Sequence, residues 1–451
     1  MGSKWEKIKL KEVVDIITTK VDVSQISLCD YISTENMLTN FGGISIANSK
    51  PSTGKITKFH SGDILFSNIR TYFKKLWLAD RTGGCSNDVI VFRPKKNINS
   101  NYILSVLMDQ KFIEHTVLTS KGTKMPRGDK TAILDYEFNL APDKYCQHIA
   151  KTNTLIFSKL KSNEVINKSL EQMSQTLFKS WFVDFDPVID NALDAGNPIP
   201  EAQQTRAKLR QKVRNSADFK PLPVEIRSLF PSEFEETELG WVPKGWNISL
   251  AGEEFIVKGG STPSTANEDF WINGTIHWTS PKDLTGNQSK VLLDTAKKIT
   301  PLGLTKISSG LLPVNTVLMS SRAPIGYLAI SKVPMAINQG YIAIPSAKHL
   351  SPEYTIYWLD NIMDDIKGMA GGTTFAEISK SAFKTIKLLI PSSDIITEFS
   401  RITRNHFDMV VQNTKEIDSL TNLRDTLLPK LISGELSLED LPDLSTDTEA
   451  A

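Results

Sequence analysis

Two stretches of this chain carry apolar residues at intervals of mostly three and four. In the first, Ile149, Ile156, Leu160, Ile166, Leu170, Met173, Leu177 and Trp181 recur; in the second, Ile396, Phe399, Val410, Ile417, Leu420, Leu423, Leu427 and Leu431 do. That periodicity predicts two long amphipathic helices with one apolar seam each. At 1.5 Å per residue, a 33-residue seam such as Ile149–Trp181 spans roughly 50 Å. Ahead of each seam the pattern changes to short β-rich runs punctuated by Gly, Pro and Asn: 63–66, 89–92, 316–319 and 341–344. A helix is predicted over 101–115 and again over 352–367, capped by Ser100 and Ser351. Each mixed part closes on a strand before proline, 138–142 and 386–391.

These two patterns are one pattern repeated. An offset of 250 residues pairs Ile149 with Phe399, Leu160 with Val410, Leu170 with Leu420 and Leu177 with Leu427. It also pairs Asn163 with Asn413, and Gly122 with Gly372. Solenoid repeats run roughly 20–50 residues, so this period predicts two similar domains in one chain. Asn163 and Asn413 fall near the middle of the seams. If the helices pair antiparallel, the two amides can bond to each other and fix register; otherwise each is solvated at the seam edge. The connector, 186–241, contains Gly196-Asn197-Pro198-Ile199-Pro200, a basic helical piece at 205–214 and Pro221-Leu222-Pro223. It reads as an extended linker with one short helix.

Charge sharpens the division. The net charge of 451 residues is +1, yet residues 1–142 carry +6 (20 basic, 14 acidic) and 239–391 carry +3 (14 and 11). Residues 143–238 carry −1 (13 and 14), and 392–451 carry −7 (5 and 12). Positive charge sits in the mixed part of each repeat, which suits a polyanionic partner. The acidic end reads as disordered. No apolar run reaches the roughly 18 residues of a membrane span, and the N-terminus lacks a signal-peptide core, so a cytoplasmic protein is expected. Cys29, Cys85 and Cys146 are widely separated, which predicts buried free thiols rather than disulfides or a zinc site.

Catalytic signatures are missing. No phosphate loop, dinucleotide fingerprint, nucleophile elbow or His-Glu-x-x-His is present, and the six histidines show no metal-ligand spacing. What remains suits nucleic acid. Asn68, Arg70, Lys74 and Lys75 combine amide and guanidinium groups for base edges with amines for phosphates. Lys121, Lys124 and Arg127 form a basic loop, with Thr373 and Thr374 at the repeated position. Lys258, Ser261 and Thr262 flank Gly259-Gly260, a loop expected to bring backbone amides near an anion. Lys282 and Arg322 complete the set, with Arg322 read as the repeat of Arg70. Asn163, Leu170, Leu177, Trp181, Asn413, Leu420 and Leu427 are assigned to helix pairing and partner docking.

Leu177-Phe178-Lys179-Ser180-Trp181-Phe182-Val183-Asp184-Phe185-Asp186-Pro187, the connector run 191–200, the run 238–246 and Leu423-Arg424-Asp425-Thr426-Leu427-Leu428-Pro429-Lys430-Leu431-Ile432-Ser433-Gly434-Glu435-Leu436 together resemble the specificity subunits of type I restriction-modification systems. The resemblance covers nearly the whole chain. It implies an α+β fold: two similar mixed α/β target recognition domains, each followed by a long helix. The helices would pair as an antiparallel coiled coil with internal pseudo-two-fold symmetry. The implied boundaries are 1–142 and 239–391 for recognition, 143–185 and 392–436 for the spacer helices, 186–238 for the connector and 437–451 for the tail.

The resemblance further implies a non-enzymatic subunit that reads a bipartite, asymmetric site in double-stranded DNA, one half per domain. Its partners would be two modification subunits that methylate adenine, and separate restriction-translocase subunits. This chain would bind no cofactor or metal itself; S-adenosylmethionine, ATP and Mg would belong to the complex. A roughly 50 Å helix limits the unread spacer to about 15 base pairs at 3.4 Å each. The competing expectations are a type IIB-like specificity subunit, a freestanding two-domain DNA-binding regulator, and a two-lobed ligand-binding protein. The last leaves the long helices unexplained.

Overall fold

The computed structural model describes residues 5–217, 219–285, 289–371 and 376–436. They divide into two compact units. One comprises residues up to Ser162 together with those from Glu416 onward; the other is Asn163–Lys415. Each unit therefore holds one mixed α/β domain and part of each long helix. The acidic run 437–451 lies outside the described residues.

In the first unit, Ile64–Ser67 is buried at every position and forms the middle of a four-stranded sheet. It pairs antiparallel with Val89–Pro94 on one side (Ile64 opposite Phe92) and Leu76–Leu78 on the other, with Val14–Ile16 beyond Val89–Pro94. Such a continuous apolar run is what a strand covered on both faces requires. A second sheet, ordered Lys20–Asp22, Lys55–Phe59, Gly83–Cys85 and Tyr31–Ile32, ends in a parallel pair. Gly83 and Gly84 allow its tight packing: a Cβ on either would lie 2.5 Å from the Phe59 ring or 2.4 Å from Ile56.

The second unit repeats this plan. Val317–Ser320 lies between Tyr341–Ala347 and Leu328–Ser331, with Phe255–Lys258 and Val291–Leu292 at the edges. Lys297–Ile299, Ile276–Thr279 and Met335–Ile337 form the second sheet, again with one parallel pair. In both units a small antiparallel pair closes the domain just before the long helix: Glu6–Lys9 with Glu137–Leu140, and Asn247–Leu250 with Lys387–Ile390.

Each expected single helix is two. Ser100–Met108 gives way to Gln110–Leu118 at Asp109, whose carboxylate accepts from the Lys111 amide. Pro352–Asn361 gives way to Met363–Gly368. The cap of the earlier helix is Asn99 rather than Ser100, because its Oδ1 accepts from the amides of Asn101 and Tyr102; Ser351 caps as expected through Tyr354. Side-chain acceptors at these positions satisfy amides that the helix leaves unpaired. Cys85 is buried and Cys146 half-buried, but Cys29 is exposed, contrary to expectation.

The long helices run Asp143–Phe182 and Ser393–Ser433. Within the second unit Ser174 Oγ meets His406 Nδ1 at 2.8 Å, and Asn413 donates to Asn167 Oδ1 at 2.8 Å. Rising numbers on one helix meet falling numbers on the other, so the pairing is antiparallel. In the first unit the same order holds, with Lys159 bridged to Glu416 and Phe157 beneath Arg424. Asn413 thus meets Asn167, one turn beyond Asn163, and Asn163 itself is buried. Leu170 and Trp181 are buried, and Leu177, Leu420 and Leu427 half-buried. Ile166, Met173 and Leu423, counted in the seams by spacing, are exposed. The second unit's core gathers Phe178, Trp181, Phe182, Tyr354 and Phe399, whose rings meet edge-on or tilted at 4.8–6.3 Å. Such contacts add roughly 0.5–1.5 kcal/mol each beyond area burial.

The connector departs most from expectation. It contains a helix at Asp186–Ala195 and a second at Gln204–Arg214. Arg206, Arg210 and Arg214 pair with Asp186, Asp190 and Asp194 in turn. The constant interval of 20 means the two helices run parallel. Gly196, at φ 69°, ends the first helix, and residues 197–203, the last three a 3-10 turn, carry the chain back to start the second. The Asn-Pro-Ile-Pro run is nonhelical as read; the Asp-x-x-x-Asp-x-x-x-Asp run before it is helical and aligns its carboxylates with the three arginines.

Candidate nucleic-acid interface

Two basic segments separated in sequence by about 50 residues meet in the first unit. Ile69 bridges Arg127, and Arg127 bridges Lys121, so Asn68–Lys75 and Lys121–Arg127 lie side by side. The Arg70 amide donates to the Pro126 carbonyl at 2.9 Å, and the Gly128 amide to the Asn68 carbonyl at 3.0 Å. Arg70 and Lys74 both adopt positive φ (49° and 53°), which turns the chain sharply around Thr71–Phe73. Thr71 is buried while Tyr72 and Phe73 are exposed.

The side chains divide by their engagements. Arg127 pairs with Asp88 at 3.0 Å and Lys121 with Asp129 at 2.5 Å, both as partly exposed bridges. The bond from Lys121 is the main cause holding the Asp129 carboxyl below its ordinary range. Lys75 donates to the Thr34 carbonyl at 2.6 Å, and burial lowers its amine's pKa. That amine serves the fold. Arg70 and Lys124 are exposed, and among the described residues no carboxylate pairs with either. Asn68, expected to reach bases, is buried, and its Oδ1 has no hydrogen-bond partner. Lys74 lies over the Phe41 ring at 5.9 Å.

The second unit builds the same frame. Arg322 bridges Glu377, Glu377 bridges Gly371, and the Ile378 amide donates to the Ser321 carbonyl at 3.1 Å. These bonds fix the equivalences. Ser321 takes the place of Asn68, and Arg322 that of Ile69, so Ala323 rather than Arg322 corresponds to Arg70. Ala323 repeats the positive φ of Arg70, at 54°. The sequence pairing is thus off by one, because the two loops differ in length. The Ser67 amide reaches Lys75, whereas the Ser320 amide reaches Tyr327, one residue sooner. Arg322 forms an ion pair with Glu377 at 3.5 Å. Thr373 and Thr374, like Gly372, lie outside the described residues.

The glycine loop is held by the fold around it. A Cβ on Gly260 would lie 1.8 Å from the Ile337 carbonyl, so glycine serves close backbone approach. Ser261 is occupied within the fold: its amide donates to Ile337, and its hydroxyl donates to the Lys306 carbonyl and accepts from Ser308. Thr262 donates to Gln339 Oε1 at 2.8 Å, and the Ser321 amide donates to the neighbouring Gly340. The loop therefore joins Arg322 through Gln339-Gly340. Lys258 is exposed, as is Lys282 on the turn Pro281–Leu284, whose Pro281 abuts Gly340. Sequence reasoning missed Gln339 and the carboxylates Asp88 and Glu377. A basic-residue search cannot find acids, but Glu377 stands at the repeat of Arg127, where a reversal of charge was legible.

No helix among the described residues is long and apolar enough to cross a membrane. Among them no group of three or more His, Cys, Asp or Glu is placed to hold a metal ion.

Comparison with known proteins agrees with this geometry. The family described as "Type I restriction modification DNA specificity domain" matches residues 2–172 and 243–420. The chain is similar to the specificity subunit of the type I restriction enzyme HindI from Haemophilus influenzae, with 26% identity over 461 residues, 96% of this chain and 100% of that one. It is 32% identical to the specificity subunit of MjaIX from Methanocaldococcus jannaschii over 193 residues, 42% of this chain and 44% of that one. In fold it resembles the crystal structure of a type I restriction-modification S subunit from M. genitalium, with TM-score 0.56, 16% identity and 95% and 96% of the two chains covered. Two recognition frames built alike, antiparallel long helices and a family match over both halves converge: this chain belongs to the type I restriction-modification DNA specificity family.

Proposed function

We propose that this chain selects the DNA site of a type I restriction-modification complex, reading a bipartite asymmetric sequence with one recognition domain per half. The observation that carries this is one backbone frame used twice with different chemistry. Arg70, Lys121 and Arg127 in the first unit stand where Ala323, Gly371 and Glu377 stand in the second. A shared frame suits two similar grooves; unlike side chains suit two unlike half-sites. Lysines and arginines on phosphates set position, and polar side chains on base edges set sequence.

The subunit is non-catalytic in this reading and binds no cofactor or metal. Two modification subunits dock on the long helices and bring S-adenosylmethionine for adenine methylation. Restriction-translocase subunits bring ATP and Mg chemistry, and the complex works in the cytoplasm. The helices, 40 and 41 residues long, measure roughly 60 Å, which raises the upper limit of the spacer to about 18 base pairs. Gel shifts with and without modification subunits test the assignment. The assembled complex should bind its site tightly and the isolated chain weakly. Equally tight binding by the chain alone would favour a freestanding regulator.

A further inference from the structure

In the first unit, Arg424 of the C-terminal helix packs on Phe41, beside the turn 70–74. Arg424 is 5% exposed. Its guanidinium carbon lies 5.4 Å from the centre of the Phe41 ring and 5.8 Å from that of Phe157. Its ionic partner is its own neighbour Asp425, at 2.8 Å. Cation–ring contacts gain strength when water is excluded, as it is here. The residue 250 positions earlier is Ser174, so the second unit has no arginine at this place.

Phe41 holds an unusual backbone. Asn40 and Phe41 are both left-handed, at φ 54° and 61°. A bulky residue keeps that conformation only where its surroundings over-determine it. The Asn40 and Phe41 amides donate to the carbonyls of Phe73 and Lys74 at 3.0 and 2.8 Å. The Phe73 amide in turn donates to the Arg70 carbonyl at 2.9 Å, and Lys74 lies over Phe41. A cleft of about 170 Å³ beside these groups is lined in part by Phe41, Lys74, Asp109, Arg424 and Asp425. Contacts thus run unbroken from Arg424 through Phe41 and the Phe73–Lys74 backbone to Arg70.

We propose that Arg424 is a positioning residue for DNA recognition: by clamping Phe41 from the helix, it holds the Arg70–Lys75 turn so that Arg70 faces its half-site. This rests on the reading of that turn as a DNA contact. A helix that serves spacing and docking then also tunes specificity at one half-site.

The test uses the full complex with its modification subunits. Affinities for the cognate site and for DNA altered in either half are measured for wild type, Arg70→Ala, Arg424→Met and Arg424→Lys, alongside melting temperature. Arg70→Ala identifies the half-site read by the first unit. Arg424→Met should reduce discrimination roughly ten-fold at that same half-site and leave the other unchanged. Arg424→Lys, which keeps a cation at Phe41, should recover most of the loss. Phe41→Leu, which removes the ring and leaves the helix intact, should reproduce the Arg424→Met pattern and serves if that variant does not assemble. Unchanged discrimination in Arg424→Met and Phe41→Leu, with Arg70→Ala relaxing one half-site, would overturn the inference alone. Equal loss at both half-sites with a lowered melting temperature would reduce Arg424 to a structural residue. If Arg70→Ala relaxes neither half-site, the underlying reading fails and the inference with it.

Discussion

Replacing Arg210 with alanine should destabilise the second unit by about 3 kcal/mol. Arg210 makes two bonds to the Asp190 carboxylate, lies 3.8 Å from Asp186 and covers the Phe219 ring at 5.6 Å. Its side chain is 17% exposed and that of Asp190 is 11% exposed. Removing one member of a buried pair costs roughly 3–5 kcal/mol, because the other charge is left desolvated. Residual exposure and the remaining Arg206 on Asp186 place the value at the low end. Arg214→Ala is the internal control. Its partner Asp194 is 47% exposed and keeps Arg227, so roughly 0.5–1 kcal/mol is expected. Urea unfolding followed by tryptophan fluorescence gives both numbers, since Trp181 packs on Phe230 in the same unit. A double-mutant cycle with Asp190→Ala isolates the pair. Equal, small losses for Arg210→Ala and Arg214→Ala would refute the reasoning and return the connector to a solvated linker.

Three further outcomes follow from the same geometry. Arg70→Ala should cost roughly 1–3 kcal/mol of base discrimination at one half-site in binding assays, whereas Lys124→Ala should weaken all sequences alike and reduce the salt slope by about 1. Burial lowers the pKa of His406 below its ordinary 6.5 beside Ser174. Its contribution to stability is therefore complete above 6.5 and lost as pH falls through the lowered value; melting curves from pH 8 to 5 should show this slope, and His406→Gln should flatten it. Insertion of one heptad after Asn163 and one at Asn413 should lengthen the unread spacer, and methylation mapping that finds the old spacing would count against a helical ruler.

Much of the fold was readable because its strongest signals are periodic. The spacing of Ile149, Ile156, Leu160 and Leu170 marks a buried helix face, and Ile64-Leu65-Phe66 marks a strand covered on both sides. Spacing alone gives a face only approximately, which is why Met173 and Leu423 stand outside it, both exposed and both at the repeated position. Carboxylate–guanidinium ladders are not apolar patterns, so apolar spacing does not mark the Asp186–Ala195 helix. The recognition residues were harder. Composition places Arg70 and Lys75 in one cluster, but only tertiary structure separates an exposed guanidinium from an amine spent on the Thr34 carbonyl. The Gly259-Gly260 loop shows the same limit, since a glycine needed for close packing on Ile337 and one needed to approach an anion are identical in sequence.

Methylation mapping in cells that express this chain with its modification subunits tests the central claim most directly. It is done once with the native chain and once with residues 1–142 exchanged for those of another family member. The native site should be two unlike defined blocks separated by a fixed unread gap, and the exchange should rewrite one block while preserving the other and the gap. A continuous or palindromic site, or an exchange that rewrites both blocks, would contradict it.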